Sequence, residues 1–297
     1  MLAIIRGFLE FIMRGRKQAT LIAVLFVFIP LFGWVSNVII ALVALRKGIL
    51  EGFLILLWTA LAGVILTGPE SPKILYINIL GGHVLTWFLA VVLRITVSWR
   101  IALLAAITLG VIVVCITHLI IPDMPAWWMA KLQIAATQAS KAGVLNVSVP
   151  MALAAFKPIM PFLTGIGMAA LLLLALSNVL VARWSQSILY NPGGLKKELY
   201  QLRLNSLSAM GLLVLTTILF FNNSLALDCL PVIVLPLTLI GLAVIHVLLA
   251  NCRHSVLWLV VFYGLLILLF QPVAIILAMV AVLDGLIDIR KRLKGVE

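Results

Sequence analysis

Several runs of more than 18 residues in this chain carry no charge, and lysine or arginine fences their ends. About 20 apolar residues in one α-helix cross the ~30 Å hydrocarbon core of a bilayer. In hydrocarbon a backbone must satisfy its own hydrogen bonds, which restricts such runs to helices. Hydrophobic residues make up 65% of the 297 residues and charged residues 10%, with a mean hydropathy of +1.28. The expectation is an all-α, polytopic transmembrane helix bundle forming one membrane domain. In a soluble protein, a net charge of +12 would point to nucleic acid. Here the cations sit at the ends of apolar runs, where they face anionic membrane lipid, so a nucleic-acid partner is not expected.

Apolar segments lie at 19–45, 49–67, 74–97, 101–121, 158–182, 204–222, 229–250 and 255–287. The first contains Pro30 and Gly33 and the last contains Pro272. Proline removes a backbone donor and kinks or breaks a helix, so each is either one bent span or a hairpin of two short helices. Charge separates the alternatives. With two hairpins and an inside N-terminus, 17 of the 21 Lys and Arg fall inside, leaving Lys73, Lys131, Lys141 and Lys157 outside. With two single spans the split becomes 12 to 9. The excess of cytoplasmic Lys and Arg in membrane proteins favours the hairpins. The reading is about 8–10 membrane helices, with short broken hairpins at each end and both termini cytoplasmic.

Residues 1–17 read as a basic amphipathic helix on the membrane surface, with Leu2, Ile5, Leu9 and Ile12 on one face. Residues 18–297 form the integral domain. Within it, 122–157 is an external amphipathic segment with Trp127 and Trp128 at the interface. The 183–204 stretch is a basic cytoplasmic loop whose Asn191-Pro192-Gly193-Gly194 is a turn. Lys196, Lys197 and Arg203 on that loop are candidate docking residues for a cytoplasmic or membrane protein partner.

Polar groups at membrane depth are the default functional candidates. His83 lies near the middle of the 74–97 span, beside Gly81 and Gly82, with Asn78 on roughly the same face. Asn37 and Ser36 follow the Pro30–Gly33 break. His83, Asn78 and Asn37 are therefore the candidate ligand-binding residues. His118, His246, Asn178 and Asp284 fall nearer the ends of their spans, and Asp284 and Asp288 are placed to pair with Arg290, Arg292 or another inner arginine. Cys115, Cys229 and Cys252 are far apart and lack metal-ligand spacing, and Asn146-Val147-Ser148 is an isolated glycosylation triplet. With no GxxxxGK[ST] loop, HExxH pair or nucleophile–base set, no cofactor, metal or enzymatic activity is expected.

Three stretches carry a resemblance. They are IPLFGWVSNVIIALVALRKGILEG from Ile29 to Gly52, the loop ARWSQSILYNPGGLKKELYQLRL, and the ending LAMVAVLDGLIDIRKRL. In these the chain resembles the YybS-like family of bacterial membrane proteins, and in outline it is distantly similar to substrate-binding subunits of energy-coupling-factor transporters. The resemblance implies a multi-pass protein of the bacterial inner membrane. The expected function is a transporter-like or substrate-binding membrane component for a small molecule or lipid, held in an outward-opening cavity walled by both hairpins and the 74–97 span. The alternative is a scaffold or assembly factor that recruits a partner through the basic loop.

Overall fold

The computed structural model describes residues 2–29, 31–67, 73–144, 147–221, 223–250 and 254–290; the side chains of 73–80 lie outside that set. Pro30, Cys252, Asn146, Arg292 and the Asn78 side chain therefore fall outside the described residues. Helices follow in the order α1 (Leu2–Arg14), α2 (Arg16–Phe28), α3 (Gly33–Arg46), α4 (Ile49–Thr67), α5 (Lys73–Thr96) and α6 (Trp99–Ile120). Then come α7 (Met124–Lys141), α8 (Val149–Phe156), a 3₁₀ turn (Lys157–Phe162) and α9 (Leu163–Tyr190). The rest are α10 (Gly194–Tyr200), α11 (Ser206–Phe220), α12 (Asn223–Leu249), α13 (Ser255–Leu268) and α14 (Phe270–Ile287). No strand occurs among the described residues.

Five stretches are long and apolar enough to cross a membrane: Ile49–Leu66, Trp99–Ile120, Val149–Tyr190, Ser224–Leu249 and Phe270–Ile287. Their outward faces remain apolar, as Leu57, Leu61, Ile112, Ile116, Leu173 and Met279 show. A surface of that kind needs lipid as its solvent, and the chain is a membrane-embedded helix bundle.

The N-terminal reversal is direct. Ser36 Oγ donates to the Ala23 carbonyl at 2.6 Å, whereas 13 residues of continuous helix would separate those groups by about 20 Å. The turn between α2 and α3 holds Leu31 at φ 69°, a left-handed conformation that costs a leucine ~1–2 kcal/mol. Across the base of the hairpin, Arg16 at the start of α2 forms a two-pronged ion pair with Glu51 at the start of α4. Arg94 at the end of α5 donates to the carbonyls of Ala44 and Leu45 at the end of α3, at 3.1 and 2.6 Å. These contacts gather the cationic helix ends at one end of the bundle, called here the basic end.

The C-terminal reversal follows from register. Thr238 on α12 donates to the Ala274 carbonyl on α14 at 3.1 Å, and a Cβ on Gly241 would lie 2.1 Å from the Leu277 carbonyl. Both partners advance by three residues, so α12 and α14 run in the same direction and α13 carries the chain back between them. The break falls at Leu269 (φ −123°, ψ 48°), not at Pro272 as the sequence suggests. Pro272 sits in the first turn of α14, where its missing N–H would have no helical partner anyway. Its ring excludes a helical Leu268 carbonyl four residues back, which ends α13 just upstream.

The core is centred where α3, α5, α6, α9 and α12 meet, with Leu42, Leu89, Leu103, Leu172 and Ile240 inaccessible or nearly so. Helix α3 is buried on all sides from Ser36 to Leu45, the pattern of a central helix. By contrast α13 has no buried side chain. The predicted surface helix α1 turns Leu9 and Ile12 into the protein, so the face assigned to lipid is covered by the bundle, while Ile4, Phe8 and Phe11 remain exposed on the other side.

Candidate functional site

Of the three ligand candidates read from the sequence, the structure places Asn37 and His83 on facing helices of the core, 5% and 6% exposed. Gly82 of α5 is turned toward α3: a Cβ there would lie 4.0 Å from Asn37 Nδ2, an ordinary contact distance. Thr86 on α5 and Asn178 on α9 extend this buried polar layer, with Asn178 Nδ2 3.5 Å from Thr86 Oγ1. The Asn37 Oδ1 atom is buried without a hydrogen-bond partner among the described residues. Thus α3, α5 and α9 form a polar seam through the core, and the Asn78 side chain lies outside the described residues.

The large cavity lies elsewhere. It occupies about 1020 Å³ at the basic end and is lined by neither His83 nor Asn37. Its walls are α1, α6, α9, α10, α12 and α13; of the expected walls only the C-terminal hairpin contributes, through Tyr263 of α13, and neither the N-terminal hairpin nor the 74–97 span does. Ten of its 22 lining residues come from 184–202, the most distinctive stretch of the sequence. Local chemistry explains this. Helix α9 ends at Asn191 because Pro192 disfavours a helical residue before it. Gly193 then takes φ +81°, open to glycine without penalty, and a Cβ on Gly194 would lie 2.3 Å from Asn191 Nδ2. The turn folds α10 back beneath the bundle, so that Leu195, Leu199 and Leu202 face Leu103, Leu176 and Leu239 across the cavity. At the rim, His246 Nε2 and the Tyr263 hydroxyl are hydrogen-bonded at 2.9 Å, and Lys196 lies over the Tyr200 ring.

Partly buried ion pairs hold this floor in place. Arg183 grips Glu198 with two hydrogen bonds of 3.1 and 2.5 Å, and Trp99 Nε1 donates to the same carboxylate at 3.1 Å. Arg290 donates to the carbonyls of Tyr200 and Leu202 at 2.7 and 2.6 Å. Its Nε lies 3.1 Å from Asp284 Oδ2, a charge contact not aligned as a hydrogen bond. Burial draws the Arg290 guanidinium below the ordinary arginine value, and Asp284 works in the opposite direction. Arg203 donates to the Asp284 carbonyl at 3.0 Å and to Asp288 at 2.6 Å. The predicted pairing of Asp284 with Arg290 is present, and Arg203 is the further inner arginine. Of the three docking candidates, Lys196 and Lys197 are exposed, whereas Arg203 is engaged within the protein.

The opposite end holds a second buried carboxylate that the sequence reading passed over. Asp228, 1% exposed, sits one turn into α12. One oxygen accepts the Gly165 N–H at 2.8 Å, and the other lies 2.8 Å from His118 Nε2. Gly165 is the third residue of α9, so Asp228 satisfies one of the free N–H groups of a helix N-terminus, where negative charge is favoured. The approach demands glycine, since a Cβ at Gly165 would lie 1.7 Å from the Asp228 carbonyl. Next door Trp128 of α7 donates to Thr164 at 2.9 Å, tying the outer segment to the same helix end. This segment, expected as a single amphipathic helix, is α7, α8 and a 3₁₀ turn. Chemically the His118–Asp228 pair is equipped to hold or release a proton, while the basic-end cavity is equipped to hold an apolar body. Among the described residues no group of three metal-ligating side chains converges.

Compared with protein-family models, curated proteins and solved structures, the chain matches none.

Proposed function

We propose that the protein is a substrate-binding, transporter-like component of the bacterial inner membrane. It would hold a lipid-like small molecule in the cavity at its basic end, without enzymatic chemistry of its own. One observation carries this reading: about 1020 Å³ of mainly apolar space, walled by six helices and floored by the 183–203 loop. Large apolar cavities with a few polar groups are the usual form of small-molecule sites. The resemblance to the YybS-like family belongs to the same reading, as does an orientation with the basic end and both termini cytoplasmic. Mass spectrometry of the purified full-length protein under non-denaturing conditions tests it. Wild type should retain a co-purified species that Ser177→Trp, which places an indole in the cavity, loses. Wild type free of any bound species, and indifferent to a panel of lipids and vitamins, would sink the proposal. A reporter fused after Lys47 should read cytoplasmic; a periplasmic signal would invert the orientation.

The scaffold reading has one observation in its favour: Lys196 and Lys197 stay exposed on a segment that the Arg183–Glu198 ion pair ties to α9. Two cations presented in this way suit an acidic protein surface. That reading gains ground if Lys196→Glu/Lys197→Glu abolishes co-purification of a protein while leaving the small-molecule adduct intact.

A further inference from the structure

Among the described residues, the fully charged side chains lining the basic-end cavity are Arg6 on α1 and Lys196 on α10, and no aspartate or glutamate lines it. Of the nearby carboxylates, one is committed elsewhere and one makes only a surface contact. Glu198 is held by Arg183 and Trp99, and Glu10 makes an exposed contact with Arg6 at 2.9 Å, the weak class of surface pair. An incoming anion can therefore replace Glu10 at little cost. Depth grades the lining. Leu103, Leu176 and Leu239 lie on core helices, while Arg6 and Lys196 belong to the two short helices at the basic end. A soluble anion would leave that apolar interior unfilled, and an uncharged apolar molecule would leave both cations unused. The volume stands at the top of the ~300–1,000 Å³ range of small-molecule pockets, which favours a chain-bearing ligand over a compact ring system. The walls also differ in firmness. Helix α13, which contributes Tyr263, has no buried side chain, and α1 keeps Ile4, Phe8 and Phe11 exposed beside it. Helix α13 is thus the wall with no buried side chain, whereas α1 is anchored through Leu9 and Ile12.

Building on the ligand-holding reading above, we propose that the cavity takes a phosphate-headed anionic lipid from the adjacent leaflet. It enters sideways past α13, with its acyl portion against the leucines and its phosphate between Arg6 and Lys196.

The test uses the full-length protein in detergent micelles, with dioleoyl phosphatidylglycerol, dioleoyl phosphatidylcholine and dioleoylglycerol as probes of equal chain length, read by non-denaturing mass spectrometry. Phosphatidylglycerol should bind at least about tenfold more tightly than the other two. Arg6→Gln/Lys196→Gln should erase that preference while leaving thermal unfolding and dioleoylglycerol binding unchanged, and Ser177→Trp should weaken all three. Equal affinity for the three probes, or a preference that survives the double substitution, overturns the headgroup assignment and leaves the ligand-holding reading standing. Glycerol 3-phosphate binding as tightly as phosphatidylglycerol also overturns it, by showing a soluble phosphate site. Wild type binding none of the probes overturns the lipid assignment, while the ligand-holding reading stands or falls separately with the co-purified species and the wider panel above.

Discussion

The bundle buries one carboxylate near each end, and the two are held in opposite ways. At the basic end Asp284 is fully inaccessible and faces two arginines, Arg290 at 3.1 Å and Arg203 at 3.7 Å. At the other end Asp228 has a histidine at 2.8 Å and one backbone N–H at 2.8 Å. Arginine keeps its charge throughout the accessible pH range, whereas histidine can be charged or neutral. The first arrangement is a fixed lock. It ties α14 to the 200–203 segment and so to the cavity floor. The second is a joint whose charge can change, placed where α6, α9 and α12 meet beneath the outer segment. A buried acid in a membrane protein is thus not one kind of feature; its partner decides whether it is ballast or machinery.

Substitutions can break this contrast. Asp284→Ala should have the largest effect, because it strands buried Arg290 without its counter-charge. Losing one partner of a buried pair costs about 3–5 kcal/mol, which thermal unfolding in detergent would register as a large drop or as failure to fold. A wild-type-like melting curve would show that the lock is not holding. Gly165→Ala comes next. The added methyl must push α9 away from Asp228, stretching the Gly165 hydrogen bond, at about 1–3 kcal/mol by analogy with overpacked cores. Unchanged stability would mean that the two helices are not in the contact described. Asp228→Asn should be mildest, about 1 kcal/mol, because an amide oxygen still accepts the Gly165 N–H and the isosteric amide still offers His118 Nε2 a polar partner. Should Asp228→Asn cost as much as Asp284→Asn, His118 is a locked cation and the contrast between the ends disappears.

Much of the architecture was legible from charge and apolar length. The N-terminal reversal followed from where Arg16, Lys17, Arg46 and Lys47 fall, and Ser36 bonded to Ala23 is its structural counterpart. The C-terminal reversal was legible too, though not its position, because proline acts on the turn before it and Leu269 carries the break. Asp228 was missed because it was treated as a loop residue ahead of an apolar segment starting at Cys229. The available signal was a lone acid within helically patterned Leu225-Ala226-Leu227-Asp228-Cys229-Leu230, together with a histidine at the matching end of another span. The cavity could not be read at all. Its lining is drawn from six helices, and only the fold of the Asn191–Gly194 turn brings Leu199 and Leu202 opposite Leu176. The seam of Asn37, His83, Thr86 and Asn178 lies between these cases: two of its members were singled out from the sequence, and the layer they belong to emerged only from packing.

The tight fold-back of α2 onto α3 bears on how the chain is made. A 14-residue helix, about 21 Å long, buried on every side and shorter than the hydrocarbon is thick, is a poor candidate to enter a membrane alone. Entering together with α2 as a preformed pair, it would need to carry across only the Ile29–Phe32 turn, which bears no charge. The helix at the middle of the finished bundle would then be laid down ahead of α4 to α14, which would assemble around it.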